Sequence, residues 1–200
     1  YDNLASRARQ PTSAVLLDQP VGRYLDLVRL AMPGNRRVGV LLGPESSILA
    51  PQLARAAAVR GLQVVPIQIS GEPTELYPAL RTLLAESDVL LALPDGQVYN
   101  AASLQTVLIT TDRRRVPVVA FSAAYAKAGA TLALYTAPAQ AASQTATVVK
   151  GFLAGRGLPP PQLASDFSVA KNERVARSLG VADGESDSLE ESLKRQEVAR

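Results

Sequence analysis

The chain has 200 residues, enough for one large domain or two small ones, and 47% of them are hydrophobic, which is ample for a packed core. It contains no Cys and no His, which excludes thiol nucleophiles, imidazole bases and the usual nitrogen and sulfur ligands of zinc. The net charge of +3 comes from scattered basic residues and only 4% of the residues are aromatic, so we expect no nucleic-acid partner.

The first elements are short. Residues 1–11 are polar and basic, and we expect a linker or stub there. Residues 12–17 predict a strand, and Asp18 and Pro20 indicate the start of a helix that ends before Pro33-Gly34. The chain begins at Tyr1 and its one methionine is Met32, so we expect that an upstream segment, with any signal peptide, has been removed.

Five apolar runs then alternate with helical patterns. A short run that is apolar throughout indicates a strand buried on both faces, as in a parallel sheet covered by helices. The runs are residues 37–42, 62–69, 88–93, 116–121 and 131–135. The helical patterns are residues 46–60, 72–86, 98–112, 123–128 and 138–154. This order predicts an α/β fold with a doubly wound, mostly parallel sheet and helices on both faces.

Several details of the helices are expectations to be tested. Ile48 and Tyr77 fall in the apolar stripes of their helices and should be buried. Pro78 predicts a kink or a later start in the third helix. In the 138–154 helix we expect one packed side, formed by Ala141, Thr145, Val148, Val149 and Phe152.

The carboxyl-terminal part is less regular. A proline-rich connector follows Gly155, and residues 165–170 predict a last strand. Asn172 can cap a helix that runs to Leu179. Residues 183–200 predict a frayed helix or a polar tail.

Function is expected in the turns that follow the strands, because ligands of such sheets bind beyond the carboxyl ends of the strands. Three turns carry polar groups there: residues 43–47, 94–96 and 122–125. No dinucleotide fingerprint, phosphate loop or nucleophile elbow occurs, and no pair of carboxylates is placed for acid–base work. We therefore expect no cofactor, no metal and no catalytic residue.

Each candidate side chain has two interpretations. Ser46 and Ser47 either cap a helix or hold an anionic ligand group together with the helix N–H groups. Asp95 is either a turn residue or a carboxylate for a ligand ammonium or hydroxyl group. Ser122 and Tyr125 are either loop residues or ligand contacts, and the same holds for the pair Tyr135-Thr136.

Several sequence blocks, in this order, resemble the ABC-transporter substrate-binding protein family of the type I periplasmic-binding-protein fold, a group similar to tryptophan- and tyrosine-binding lipoproteins. The blocks are DQP at 18–20, RVGVLLGPES at 37–46, LALPD at 91–95, VPVVAFSAAYAKAGA at 116–130 and FSVAKNERVARSLG at 167–180. The resemblance implies two α/β lobes around a ligand cleft, hinge closure, and delivery of the loaded protein to a membrane permease.

The resemblance also implies which residues line the ligand site and how the chain is divided into segments. The wall of the second lobe would comprise Pro44, Glu45, Ser46, Ser47, Pro94, Asp95, Ser122, Ala123 and Tyr125, with Tyr135 and Thr136 where the chain returns to the first lobe. We expect a stub at 1–11, an α/β lobe at 12–136, a returning helix at 137–157, a closing strand and helix at 158–182, and a polar tail at 183–200.

Members of this family carry a further stretch ahead of the DQP block that forms most of the first lobe. Because only a stub precedes it here, we expect either a fragment or a protein with half of its cleft. The predicted function is non-catalytic binding of a small solute, such as an amino acid, for a bacterial ABC importer. The expected compartment is the periplasm, with a signal peptide or lipid anchor upstream.

Two alternatives remain open at this point. A sensory or interaction domain derived from the same fold would dimerise through the exposed surface that faces the missing first lobe, so a homodimer is one expected assembly. A small-molecule transferase that uses Asp95 is the less favoured alternative, because His, Cys and a phosphate loop are missing.

Overall fold

The structure is a computed structural model that describes residues 11–181 and 186–198. Except for Pro11, the stub predicted at 1–11 lies outside the described residues, as do residues 182–185 and 199–200. The chain divides into two compact units. A small unit joins Tyr1–Gln19 to Tyr135–Ser168, and a large unit joins Pro20–Leu134 to Val169–Arg200.

Strands and helices lie close to the predicted positions. The strands are β1 (Val15–Leu16), β2 (Arg37–Leu42), β3 (Gln63–Gln68), β4 (Val89–Leu91), β5 (Val118–Ala120), β6 (Leu132–Tyr135), β7 (Gln162–Leu163) and β8 (Ser168–Lys171). The helices are α1 (Val21–Ala31), α2 (Ala50–Ala58), α3 (Pro73–Ala85), α4 (Ala101–Arg113), α5 (Ala123–Ala128), α6 (Pro138–Leu153), α7 (Glu173–Ser178) and α8 (Ser186–Val198).

Six strands form one sheet in the order β3-β2-β4-β5-β6-β8, and the five strands from β2 to β6 pair in parallel. The α/β prediction is therefore confirmed. Strands β2 and β4 lie at the centre, where Leu41, Leu42, Leu90 and Leu91 are fully buried. A strand whose side chains are apolar on both faces belongs at the centre of the sheet, because both faces of the sheet are covered there.

The order of the strands creates a crevice. The chain passes from β2 outward to β3 and then returns across β2 to β4, so connections leave the neighbouring strands β2 and β4 in opposite directions. Such a switch point opens a crevice at the carboxyl ends of the two strands. The loops that begin at Gly43 and Pro94 border it.

Three helix predictions need correction. Ile48 is 81% exposed and Tyr77 is 53% exposed, so neither lies in a buried stripe. Helix α3 begins at Pro73 and continues through Pro78, so the later start is wrong. Pro78 has no backbone N–H, so one hydrogen bond is missing near the start of the helix. The hydrogen bonds of the remaining turns keep the segment helical.

The end of the chain contributes to the large unit. The segment predicted as a frayed helix or polar tail forms α8 over Ser186–Val198, in which Leu189 and Leu193 are buried. Helix α8 packs against α1, and the guanidinium of Arg23 pairs with the carboxylate of Glu197 at 2.6 Å. Among the described residues, no helix is long and apolar enough to span a membrane.

The small unit contains a two-stranded parallel sheet in which β1 pairs with β7, and helix α6 contacts β1. A buried hydrogen-bond chain supports it: the Gln19 amide donates to the Thr136 hydroxyl at 2.6 Å, and that hydroxyl donates to the Asp166 carbonyl at 3.0 Å. Leu17 and Leu163 are exposed by 58% and 41%. This unit therefore leaves much of its apolar surface open.

Candidate ligand-binding site

Asp95 connects the two loops that border the crevice. It follows β4, and its side chain is only 2% exposed. Its Oδ2 accepts hydrogen bonds from the Ser46 hydroxyl at 2.8 Å, the Ser46 N–H at 3.0 Å and the Glu45 N–H at 3.2 Å. Its Oδ1 accepts from the Gln97 N–H at 3.1 Å. The carboxylate thus fixes the loop after β2 against the loop after β4.

Ser46 faces Asp95 and does not cap a helix. Its hydroxyl accepts from the Gly43 N–H at 3.0 Å and donates to Asp95. A 3₁₀ turn begins at Ser47, and α2 begins at Ala50 without a side-chain cap. The capping prediction is wrong because the Ser46 hydroxyl oxygen accepts the Gly43 N–H, and no helix N–H among the described residues donates to it.

The outer side of these loops is open. Pro44 and Glu45 are exposed, whereas Ser47 and Pro94 are half-buried. The Gly96 N–H donates to Oε2 of Glu45 at 2.9 Å, which is a second bond between the same two loops. Ser47 donates to the Pro44 carbonyl at 3.4 Å, a long and weak hydrogen bond.

An aromatic cluster lies at the same edge of the sheet, beyond β4 and β5. The rings of Phe121 and Tyr125 have centroids 5.1 Å apart, and Tyr99 meets them edge-on at 6.3 Å and 6.4 Å. Three of the nine aromatic residues of the chain therefore form one group. Such rings supply apolar contact area and a polar tip for a small ligand.

The hydroxyl groups of Tyr99 and Tyr125 are buried without a hydrogen-bond partner among the described residues. Burial raises the pKa of Tyr125 to about 12. Burial also raises the pKa of Tyr99 far above its ordinary value, and the neighbouring Tyr125 and Asp95 add to this rise. The backbone of Leu41 lowers that pKa in part.

The remaining predicted residues are placed as follows. Ser122 is half-buried and caps α5, because its hydroxyl accepts the Tyr125 N–H at 3.3 Å. Ala123 is half-buried in the first turn of α5. Tyr135 and Thr136 belong to the small unit, where Tyr135 is half-buried and the Thr136 hydroxyl takes part in the hydrogen-bond chain with Gln19.

The large unit therefore brings the predicted turns to one edge of one sheet. Asp95 contacts Ser46 directly, and its carbonyl accepts the N–H of Tyr99 at 2.8 Å. The ring of Tyr99 in turn contacts the ring of Tyr125. Tyr99 and Phe121 are not among the residues predicted from the sequence. Both residues could have been predicted from their closeness to the end of a strand. Phe121 follows β5 immediately, and Tyr99 lies at the end of the turn after β4.

A groove beside the crevice was also not predicted. It has a volume of about 270 Å³ and lies between the starts of α3 and α4. Its lining includes Ile69, Gly71, Leu76, Tyr77, Gln97 and Val98. The groove lies in the large unit and shares Gln97 with the loop that Asp95 fixes.

Comparison with known proteins gives a family and a fold. The model of the family described as ABC transporter substrate binding protein matches residues 14–190. No curated protein sequence matches the chain.

Three solved structures are among the most similar. A conserved domain protein from Vibrio cholerae has 24% identity and a TM-score of 0.68, over 86% of this chain and 58% of that one. An ABC domain in complex with L-Trp from Streptococcus pneumoniae has 18% identity and a TM-score of 0.67, over 86% and 60%. A ligand-free, open substrate-binding protein with adhesive properties from Clostridium difficile has 22% identity and a TM-score of 0.66, over 84% and 58%.

The similarity to these structures concerns the fold, and all three identities are below 25%. The chain spans about three fifths of the length of each of them. Other similar structures include periplasmic solute-binding proteins, which agrees with the predicted type I fold.

Proposed function

Because this chain belongs to the ABC transporter substrate-binding protein family, whose model covers residues 14–190, we propose that its large unit forms one wall of a cleft for a small solute. The observation that carries the proposal is the bond from Ser46 to Asp95 at the switch point of the sheet. A crevice at that position is where open α/β sheets bind ligands. The bond holds its two borders in a fixed geometry before any ligand arrives.

The roles of the polar residues follow from their exposure. Ser46 and Asp95 are buried and bonded to each other, so they position the loops. Glu45 presents an exposed carboxylate, already held by the Gly96 N–H, for the cationic group of a ligand. Ser47 and Ser122 offer half-buried hydroxyls for its anionic or hydroxyl group.

The apolar part of the ligand would lie against Phe121, the half-buried ring of the cluster, with the buried rings of Tyr99 and Tyr125 packed behind it. Pockets for small molecules combine apolar and aromatic walls with a few placed polar groups, which is the composition found here. An amino acid with a large side chain fits this combination of a cationic, an anionic and an apolar part. The L-Trp bound to the Streptococcus pneumoniae structure supports this ligand class.

Titration calorimetry of the 200-residue chain with a panel of amino acids, beginning with L-Trp, tests this proposal. We expect heat from apolar or aromatic members of the panel. Phe121→Ala should weaken binding about five- to thirtyfold, because one removed aromatic contact is worth about 1 to 2 kcal/mol. Phe152→Ala removes an exposed ring on α6, outside the large unit, and is the matched control. Absence of heat with every member, together with an unchanged melting temperature, would contradict the proposal.

The role in the cell follows from the family. The bound solute would be delivered to an ABC permease in the membrane, and the protein would bind without catalysing a reaction. The compartment would be the periplasm, reached through a signal peptide or a lipid anchor. Release of the epitope-tagged natural gene product by osmotic shock, or its extraction only with detergent, distinguishes a free from an anchored protein, and retention in the cytoplasmic fraction would argue against both.

The transferase alternative gains no support from the site. Asp95 is 2% exposed and its carboxylate already accepts four hydrogen bonds from the two loops, so it is not presented to a substrate. The other alternative, an interaction domain, would have to bind its partner through the surface of the small unit.

A further inference from the structure

Six exposed arginines of the large unit lie at the edge of the sheet where the strands begin, opposite the crevice. We call them the basic patch; it consists of Arg36, Arg37, Arg113, Arg114, Arg115 and Arg177. Arg36 and Arg37 stand at the start of β2, and residues 113–115 join the end of α4 to β5. Because β2 to β6 are parallel, their first residues meet at one edge. The fold therefore gathers basic residues that are scattered along the sequence.

A hydrogen bond from Arg115 joins two of the segments that form the patch. Its Nη2 donates to the Ser178 carbonyl at 2.8 Å, and Ser178 follows Arg177 at the end of α7. Arg115 and Asn35 also line one depression of about 420 Å³. Asn35 directly precedes Arg36. The arginines from the three segments therefore belong to one continuous surface.

The local structure of the chain explains only part of this arrangement. A cation near the carboxyl-terminal end of a helix is favourable, but the last turns of α1 and α2 carry one arginine each and that of α3 carries none. Helix α4 ends with three. The last of them, Arg115, has a φ of 55°, and every other positive φ among the described residues belongs to a glycine. Glycine would adopt this conformation with less strain, so the turn itself does not favour arginine there.

The positive charge of the patch is largely uncompensated. Asp88 pairs with Arg37 at 2.8 Å, and Glu86 acts electrostatically on the same arginine. The other five arginines of the patch form no ion pair with any described residue. Such a surface attracts anions, and the planar guanidinium matches the geometry of a phosphate group, to which it donates two hydrogen bonds.

Two exposed apolar side chains flank the basic patch. Val59 is 80% exposed in the turn after α2, and a Cβ on Gly61 in the same turn would lie 4.0 Å from Nη1 of Arg36. Ile109 is 43% exposed and lies four residues before Arg113, on the same side of α4. Basic side chains with exposed apolar ones beside them are the combination that binds the surface of an anionic membrane.

We propose that the basic patch binds the surface of a bilayer that contains anionic phospholipids, with the arginines at the phosphate groups and Val59 among the headgroups. A nucleic acid fits the patch less well. Proteins read a duplex with a helix or strand laid in a groove, and they hold single strands with aromatic rings. The patch consists of helix ends and turns, and none of its residues is aromatic. Because it lies opposite the crevice, this binding does not require a bound solute.

Co-sedimentation of the 200-residue chain with vesicles at increasing lipid concentration is the first test. We expect binding to vesicles of equal parts phosphatidylcholine and phosphatidylglycerol, no binding to phosphatidylcholine alone, and release as the salt concentration rises. The double variant Arg113→Gln/Arg114→Gln should weaken binding about thirtyfold, since each basic residue at such a surface contributes a factor of about five. Arg81→Gln/Arg156→Gln removes the same charge from exposed positions outside the patch and is the matched control.

The outcomes of this test are distinct. Both double variants should keep the melting temperature of the original chain, because all four side chains are exposed. Weaker vesicle binding by the patch variant alone supports the proposal. Equal binding by the two double variants overturns it, as does a failure of the original chain to bind the phosphatidylglycerol vesicles. Tighter binding to duplex DNA than to these vesicles at the same salt concentration also overturns it.

Tryptophan fluorescence is the second test, and it reports which edge of the sheet meets the membrane. The chain has no tryptophan, so a single introduced indole reports on one position. Val59→Trp should shift its emission to shorter wavelength when the phosphatidylglycerol vesicles are added, because the ring enters the headgroup region. Tyr77→Trp, exposed on α3 beside the groove at the other edge, should show no shift. A shift for Tyr77→Trp alone, or for neither variant, overturns the proposal.

Discussion

The hydroxyl of Ser46 donates a hydrogen bond to the carboxylate of Asp95 at 2.8 Å, although 49 positions separate the two residues in the sequence. The bond crosses the crevice between β2 and β4, and the same carboxylate oxygen accepts the backbone N–H groups of Glu45 and Ser46. One buried acid thus determines the shape of the loop on the opposite border. The two loops that border the crevice are therefore held together by a residue that is only 2% exposed.

The first prediction concerns this bond. Asp95→Ala leaves the buried donors of the loop after β2 without an acceptor and should lower the free energy of unfolding by about 3 kcal/mol. Ser46→Ala should cost about 1 to 2 kcal/mol, and the double variant should cost less than the sum. Urea denaturation measures all three. Asp112→Ala, on the exposed side of α4, is the control and should change stability by less than about 0.5 kcal/mol.

Hydrogen exchange separates this explanation from a general loss of stability. The amides of Glu45 and Ser46 should exchange faster in Asp95→Ala than those of the central strand residues Leu41 and Leu90. A uniform acceleration throughout the large unit would mean that Asp95 does not act on the loop specifically.

The second prediction concerns Gly43, where the loop leaves β2. A Cβ at this position would lie 2.5 Å from Cγ2 of Val98 and 2.6 Å from Oδ2 of Asp95, so neither neighbour leaves space for it. Gly43→Ala should therefore destabilise the protein by about 2 kcal/mol, since it overpacks a buried contact. A Cβ at Gly34 meets nothing within 4 Å, and Gly34→Ala should be nearly neutral. Equal melting temperatures for the two variants would show that the loop accommodates the added methyl group.

The third prediction concerns the unpartnered hydroxyl of Tyr125. Tyr125→Phe removes a buried polar group that has no partner in the described structure, so stability near neutral pH should stay the same or rise by about 1 kcal/mol. If the hydroxyl contacts the ligand, the same variant weakens binding in calorimetry while its stability is retained. A loss of more than about 1 kcal/mol in stability without ligand would indicate a partner for the hydroxyl.

The fourth prediction is a dependence on alkaline pH. The pKa of Tyr125 is about 12 in the folded protein and about 10 in the unfolded chain. Above pH 10 the unfolded state loses this proton first, so stability is fully present below pH 10 and falls as the pH rises toward 12. Tyr125→Phe should show a shallower fall than the original chain in this interval. Parallel curves would contradict the assignment of the effect to Tyr125.

The fifth prediction concerns Asp88 at the opposite edge of the sheet. Its carboxylate accepts the N–H groups of Arg36 and Arg37 and a pair of bonds from the Arg37 guanidinium. Burial alone would raise the pKa of Asp88, but these bonds outweigh it and hold that pKa below its ordinary value. Asp88→Asn should therefore cost about 1 to 2 kcal/mol at pH 7.

The effect of Asp88 has a defined direction with pH. Because the pKa of this carboxyl is lower in the folded state, its contribution is present above the unfolded pKa, near 4, and is lost as the pH falls through the folded value. The difference between the original chain and Asp88→Asn should therefore shrink in acid. Urea denaturation from pH 7 down to pH 2 measures it, and a constant difference would contradict the prediction.

Local patterns in the sequence determined the fold. The apolar runs predicted β2 to β6 within a few residues. For β2, β4, β5 and β6 the reason is burial, because a strand buried on both faces must be apolar throughout. The burial expected for residues 62–69 is wrong, because β3 lies at the edge of the sheet and has no buried residue. They also predicted that the turns at Ser46, Asp95 and Ser122 lie at one edge, since parallel strands end on the same side. Only the tertiary structure decided how those residues are used. Ser46 and Asp95 satisfy each other across 49 positions, and a local pattern carries no information about a partner at that distance.

The same limit applies to helix α6 and to the aromatic cluster. Periodicity identified a helix at 138–154 but not its orientation, because Gln140 and Gln144 find acceptors and donors only where β7 and the following loop are folded beside them. Tyr99 and Phe121 become neighbours of Tyr125 only through the pairing of β4 with β5. Composition and hydrophobic periodicity determine which segments form helices and strands. The hydrogen bonds and ring contacts between distant segments determine which side of each helix or strand faces solvent.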